Sequence, residues 1–420
     1  MKKDIHSCLQ TGYTEPIRDI LWGHIYLTPE LAALTKSGPF MRLHRIMQCG
    51  PAFYVYPGAT HTRASHSIGV YHLARRLLIS LAEHGAAWLS REGVYSFLCA
   101  ALLHDLGHFP FTHSLKELPL RSHEELTGKI ILSGPIKNLV AKAGGDPELT
   151  AAIIDPGIKH EAGELRFYRS LLSGTLDPDK LDYLSRDARC CGVPYGTQDV
   201  DFILSCLRPH RERGADILEK GIPSVESVLF SKYLMYRSVY WHRYIRSATA
   251  MIKKAVLCAL ESGSLKPNAL YNLDDQSFFG LVKNPAIQSV RDGKFYVPAA
   301  EFPYDEESHG TMLDIKNRTK FEKDLASALS AEIGKIQHEK LIIDIPEPIS
   351  FDARLYIQDE KCWFSGSSTT FKKEMVNALV KSLRTVRIFI DPAYLPDEGK
   401  SASMRGRILN ITQKWLQLLI

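Results

Sequence analysis

The chain has 420 residues, 45% hydrophobic and 24% charged, a balance that excludes wholesale disorder and suits a large domain with an appendage, or two domains. The 52 Lys and Arg exceed the 47 Asp and Glu by too little to demand nucleic acid or a membrane as partner. The 8 Cys are scattered without a C-x-x-C pair, as in a reduced, cytoplasmic chain.

In chain order, Met1-Lys2-Lys3-Asp4-Ile5-His6 is charged and leads to no apolar run, so no signal peptide is expected. From about 17 to 259 the pattern is mainly helical. Ile68, Leu73, Leu77, Leu78 and Leu81 recur at helical spacing, and Val94, Leu98, Ala101, Leu102 and Asp105 fall on one face of another helix. The apolar run 97–103 is far too short to cross a bilayer. Segment 225–260 has few breakers after Pro223 and predicts the longest helix, stopped by Gly263 and Pro267. Beyond it, 295–297, 340–345, 353–357 and 385–390 read as strands, and 371–383 and 404–419 as helices. The expected fold is mainly α: a helical body, 1–265, with a smaller C-terminal α+β subdomain, 266–420.

The chemistry concentrates in His104-Asp105-Leu106-Gly107-His108-Phe109-Pro110-Phe111-Thr112-His113. A neighbouring imidazole and carboxylate at the end of an apolar helix form half of a site for a divalent cation. Gly107 lets the backbone leave the helix and Pro110 prevents its resumption. A single His there would be ordinary decoration of a helix end; three His and an Asp within ten residues are not. Further ligands must come from elsewhere. The candidates are Pro57-Gly58-Ala59-Thr60-His61-Thr62-Arg63-Ala64-Ser65-His66-Ser67-Ile68-Gly69 upstream and Asp177-Pro178-Asp179-Lys180-Leu181-Asp182-Tyr183-Leu184-Ser185-Arg186-Asp187 downstream.

These segments, with His123-Glu124 between them, resemble the HD-domain metal-dependent phosphohydrolases. The likeness is to the branch that holds the SAM-and-HD-domain deoxynucleotide triphosphohydrolase and its bacterial relatives. The resemblance implies an HD-type helical body and one divalent ion per chain (Mn, Fe, Co, Ni, Zn or Mg) on His66, His104, Asp105 and Asp179. It implies catalytic roles for His108, His113, His123 and Glu124, with a protonated imidazole neutralising phosphate charge or protonating a leaving oxygen. Arg63 and Lys180 match phosphate contacts, Tyr183 and Asp187 the residues against the sugar and its 3′-hydroxyl, and Gln48 a second sugar contact. Arg237, His242 and Arg246 recur on one helical face and resemble basic positions that contact phosphates; a solvated basic face is the competing reading.

The sequence also departs from that pattern. Lys116, followed by Glu117, stands where an acidic residue often orients the equivalent of His113. Cys49 replaces a Leu, and Ile245 a Tyr, near the sugar. Lys36, Met41 and His44 occupy the places that read an activating guanine nucleotide. The expected activity is hydrolysis of nucleotides, foremost a nucleoside triphosphate to nucleoside and triphosphate. The alternatives are a phosphodiesterase or nuclease on nucleic acid or a cyclic nucleotide, and a nucleotide-binding regulator without turnover. A homo-oligomer is expected, with Tyr233, Leu234, Tyr240 and Trp241 offered as its apolar surface; no membrane partner is.

Overall fold

The computed structural model describes residues 5–351, 353–395 and 398–417; Met1 to Asp4 and the end of the predicted terminal helix lie outside them. The architecture is mainly α with three small sheets. The first departure from the expected helical run is an N-terminal hairpin, β1 (Glu15–Asp19) with β2 (Gly23–Leu27). Its tight turn places Asp19 and Trp22 against the helical body.

The body is built around α1 (Arg63–Glu83), α2 (Arg91–Leu103), α3 (His123–Ile131) and α4 (Pro178–Cys191). Each begins on a capping side chain: Thr62, Ser90, Ser122 and Asp177 accept from backbone N–H groups of the first turn. In α4, Pro178 follows the cap and Gly192 closes the helix with φ 68°, so both ends of this helix are written locally. Among the described residues α1 is the longest helix, at 21 residues. Apolar α2 is buried along almost its whole length.

Gly69 sets how closely α1 and α4 approach. A Cβ there would collide with the Asp182 carboxylate and the Arg186 guanidinium. Gly107 does the same between the loop after α2 and α3, where a Cβ would strike the His123 carbonyl. With a side chain at either of these two points the ends of α1, α2 and α4 could not converge.

The segment expected as one long helix, 225–260, is broken. It consists of α5 (Ile222–Met235), a widened π turn (Tyr236–Tyr240) and α6 (Arg243–Glu261), with His242 extended at φ −58°, ψ 135°. Aromatic packing fixes the break: the Tyr236 ring lies 5.0 Å from Tyr240 and 5.1 Å from Trp241. Tyr240 also donates to Asp187 at 2.6 Å. Tyr233 and Trp241, offered above for an intermolecular surface, are instead buried against Phe351 and Leu383, with Leu234 and Tyr240 half-buried beside them. The C-terminal residues cover that face.

Strands β3 (Leu207–His210) and β4 (Gly214–Ile217) form a second hairpin within the expected helical run. In the C-terminal part, β5 (Val297–Pro303), β6 (Leu341–Asp344) and β9 (Thr385–Ile390) make an antiparallel sheet in the order β5-β9-β6. Helices α7 (Ile315–Ile333), α8 (Lys373–Leu383) and α9 (Glu398–Gln417) accompany it. The strand expected over 353–357 is reduced to β7 (Tyr356–Ile357), which pairs with β8 (Cys362–Trp363) and, in parallel, with β4. Leu355, Ile357, Phe364 and Phe371 therefore share a core with α1 and α2. No helix among the described residues is long and apolar enough to cross a membrane.

Glu117 ties the loop after His113 to α6 through Lys253 and to the C-terminal part through Arg318 on α7. Burial opposes its charge, but Lys253 and Arg318 outweigh that and hold the carboxyl at about 2, against an ordinary 4.5. A depressed carboxyl stabilises the fold above its unfolded value and loses that contribution as pH falls through the folded one. Wild type should thus lose up to about 3 kcal/mol between about pH 4.5 and 2. Urea unfolding at stepped pH should show Glu117→Gln less stable at neutral pH, and the gap closing on acidification. A gap independent of pH would contradict the assignment.

Candidate metal centre

Three helix ends meet at one point. His66 lies in the first turn of α1, His104 caps the end of α2 with Asp105 beyond it, and Asp179 lies in the first turn of α4. A carboxylate in a first helical turn sits where the exposed N–H groups favour negative charge. His66 Nε2 is 2.9 Å from Asp179 Oδ1, and His104 Nε2 is 3.3 Å from Asp105 Oδ1 and 3.9 Å from Asp179 Oδ1. One ligand atom each from His66, His104 and Asp105 lies within 4.8 Å of the other two.

The donor set fits a divalent cation. His104 Nδ1 donates to the Ala101 carbonyl at 2.9 Å, which leaves Nε2 as the lone-pair nitrogen. That Nε2 is buried and has no hydrogen-bond partner. An orphaned buried acceptor beside two carboxylates is costly unless a cation uses it. Burial alone would lower the His66 imidazole, yet Asp179 and Asp182 outweigh burial and push it up to about 10. Burial likewise opposes ionisation of Asp105 and Asp179, but their positive neighbours hold both well below the usual range. The point is therefore built to hold positive charge.

A buried network orients these ligands. His66 Nδ1–H donates to Asp182 Oδ2 at 2.8 Å. The Asp182 carboxylate also accepts twice from Arg186, at 2.8 and 2.9 Å, and from Trp22 Nε1–H at 2.7 Å. Arg186 in turn reaches Asp19 at 2.8 Å. Arg63 Nη1 donates to Asp105 Oδ2 at 2.7 Å. The His104–His108 loop is clamped from below by Arg42, which donates to the carbonyls of Leu106 and His108, both at 2.6 Å. Such outer contacts fix ligand direction and tune affinity. Arg42, Trp22 and Asp19 were not singled out in the sequence, because nothing local marks a residue as the partner of a distant loop. Asp182 and Arg186 lay inside the quoted motif at helical i, i+4 spacing, which was the available signal.

These residues open onto a cavity of about 450 Å³. His66, His104, Asp105, Asp179, His108, His113, His123, Arg63, Gln48, Tyr183, Asp187 and Arg246 line it; Lys180, Glu124, Arg237 and His242 do not. Lys180 turns back to Asp177 and the Gly174 carbonyl at the start of α4. Glu124 stands beside its neighbour's ring, 3.3 Å from His123 Nδ1. Arg237 donates to the Tyr233 hydroxyl at 2.7 Å, and His242 packs edge-on to Tyr56. Arg246 lines the cavity but is engaged by both oxygens of Asp344, at 2.7 and 2.9 Å, and by Glu347 at 3.2 Å. The C-terminal part thus supplies a wall of the cavity through Glu347 and Pro348, which carried no readable motif.

His108, His113 and His123 form one aromatic group, with the His108 and His123 rings stacked at 3.9 Å and His113 at 4.8 Å from His108. Burial, followed by positive neighbours that include Arg63, lowers His108 and His113 well below the ordinary value. Burial also lowers His123, though Glu124 and Asp105 oppose it. Lys116, where the pattern has an acid, lines the cavity as a further positive charge. Glu117 faces away to Arg318 and Lys253 and does not orient His113.

Residues 63–154 match the family model of the HD domain and residues 210–387 that of the HD associated region. An uncharacterized protein of Bacillus subtilis is 39% identical over 223 residues, 53% of this chain and 50% of its own length. The human deoxynucleoside triphosphate triphosphohydrolase SAMHD1 is 28% identical over 276 residues, 58% of this chain and 44% of its own. The chain spans about half the length of such curated relatives. The crystal structure of a hypothetical protein from Aquifex aeolicus superposes with a TM-score of 0.71 at 26% identity, covering 93% of this chain and 98% of that one.

Proposed function

The chain belongs to the HD-domain family of metal-dependent hydrolases, and on that premise we propose that it hydrolyses nucleoside triphosphates, deoxynucleotides foremost, to nucleoside and triphosphate. One observation carries the reading. The unpartnered His104 Nε2 sits among His66, Asp105 and Asp179 on the wall of a cavity whose other side offers sugar-type contacts. There Gln48 Oε1 is a buried acceptor without a partner, and Tyr183 presents a ring. The activity for which the human relative is named supports the substrate class.

His66, His104, Asp105 and Asp179 are the residues that hold the ion, leaving positions open for substrate oxygens. When bound, a divalent ion supplies Lewis-acid charge to phosphoryl oxygens and lowers the pKa of a water. Arg63 keeps Asp105 ionised and turned inward, and its Nε has no partner, so one donor remains for phosphate. Lys116 adds charge on the same wall. Gln48 and Asp187 accept sugar hydroxyls while Tyr183 covers the sugar face. Asp187 is held in place by His61 at 2.7 Å and Tyr240 at 2.6 Å.

His113 is the proton donor, its neutral ring charging as triphosphate anion enters the cavity. Replacing it with alanine should lower kcat by about a hundred- to ten-thousand-fold with metal content unchanged. Full kcat in His113→Ala, with loss in His123→Ala, would assign the acid to His123. The activity is tested by offering metal-replete chain a panel of deoxy- and ribonucleotides, cyclic nucleotides and oligonucleotides, and identifying products. Nucleoside and inorganic triphosphate in equal amounts are expected. Mononucleotides released from oligonucleotides or cyclic substrates would establish a phosphodiesterase instead, and absence of turnover on the whole panel would overturn an enzymatic role.

A further inference from the structure

A second group of metal-type donors lies beside the cavity, away from the proposed catalytic ligands, with Cys49 and Asp187 on its wall. His61 Nε2 lies 3.8 Å from Cys49 Sγ and 2.7 Å from Asp187 Oδ1. One ligand atom from each of the three falls within 4.8 Å of the other two. Cys191, one turn beyond Asp187 on α4, is buried beside Cys49 but outside that group of three. The side chains of His61 and Asp187 are only 6% and 3% exposed. The other Asp187 oxygen accepts from Tyr240, the kind of outer contact that directs a ligating carboxylate. His61 Nδ1 is buried without a hydrogen-bond partner, and Cys190 also lies beside the ring. Asp187 lies about 12 Å further along α4 than Asp179, which makes this a separate cluster.

We propose that Cys49, His61 and Asp187 form a second cation site for a zinc-class divalent ion. A thiolate sulfur, an imidazole nitrogen and a carboxylate oxygen are three donors that suit zinc. Thiolates select softer ions than the nitrogen–oxygen set around His66, so the two sites differ in preference. On binding, the metal–sulfur, metal–nitrogen and metal–oxygen bonds form. The His61–Asp187 hydrogen bond breaks, and the Cys49 thiol proton and the His61 Nε2 proton pass to solvent. An occupied site also engages Asp187. Its consequence for the sugar contact rests on the function proposed above; the binding itself does not.

The test titrates the full, reduced, metal-stripped chain with Co²⁺ alone, reading stoichiometry and the thiolate-to-cobalt charge-transfer band. Wild type should take up two ions and show the band, and added Zn²⁺ should bleach it. Cys49→Ser should lose the band and one ion. Asp105→Asn should keep the band and lose the other. Near-ultraviolet circular dichroism checks that each variant is folded, and His61→Ala serves as a second variant, expected to weaken the band. No band in wild type at saturating Co²⁺, or a band that survives Cys49→Ser, overturns the proposal. No readout uses turnover, so failure of the hydrolase reading leaves a different signature: inert chain with the band intact.

Discussion

Asp105→Ala should abolish both uptake of a cation at the His66 site and hydrolysis of nucleotide. Asp105 is 3% exposed and sits at the junction of every charged element there. Its Oδ1 faces His104 Nε2 at 3.3 Å and His108 Nε2 at 3.1 Å, and its Oδ2 holds Arg63. Deleting it removes one ligand and leaves Arg63 a buried guanidinium without its counter-ion, a loss of about 3–5 kcal/mol for a broken buried pair. Asp105→Asn separates the two effects: the amide keeps the volume, so the fold should survive while metal affinity and turnover still fall. Elemental analysis beside a product assay reads both. Metal content and kcat equal to wild type in Asp105→Asn would remove this residue from the site.

Asp182→Ala is the second large effect, and it acts at one remove. The residue is wholly buried and accepts from His66, Trp22 and twice from Arg186. Alanine leaves Arg186, itself fully buried, with Asp19 as its remaining carboxylate partner. Folding stability should fall by about 3–5 kcal/mol. His66 also loses the acceptor that fixes its tautomer and direction, which should weaken metal binding about 10- to 100-fold. Asp182→Asn should retain most of the stability and part of the affinity, because its carbonyl oxygen still accepts from His66 Nδ1. Equal metal affinity in wild type and Asp182→Ala, measured on folded protein, would show that His66 does not depend on this carboxylate.

The chemistry of the site was legible because its parts are local. His104 and Asp105 are adjacent, and the ends of α4 are announced by Asp177-Pro178 and Gly192. What could not be read depends on partners far away in the chain. Arg246 reads as a free cation until Asp344 and Glu347, about a hundred residues later, engage it. The break at Tyr236–Tyr240 carries no Gly or Pro; its cause is aromatic packing and the reach of Tyr240 to Asp187. The hairpins β1–β2 and β3–β4 are four or five residues per strand, and β7 exists through its pairing to β4, so no run of alternating residues marks them. Burial and Arg63 lower His108, His113 and His123, and neither influence is visible in a motif.

The most direct measurement is anomalous diffraction from crystals grown with Mn²⁺ and a non-hydrolysable deoxynucleoside triphosphate analogue. The expected result is an anomalous peak within coordinating distance of His66 Nε2, His104 Nε2, Asp105 and Asp179, phosphate density between it and the His108–His113–His123 rings, and the sugar against Tyr183 and Asp187. A peak that avoids those four ligands, or a cavity that takes up metal but no nucleotide, would contradict it.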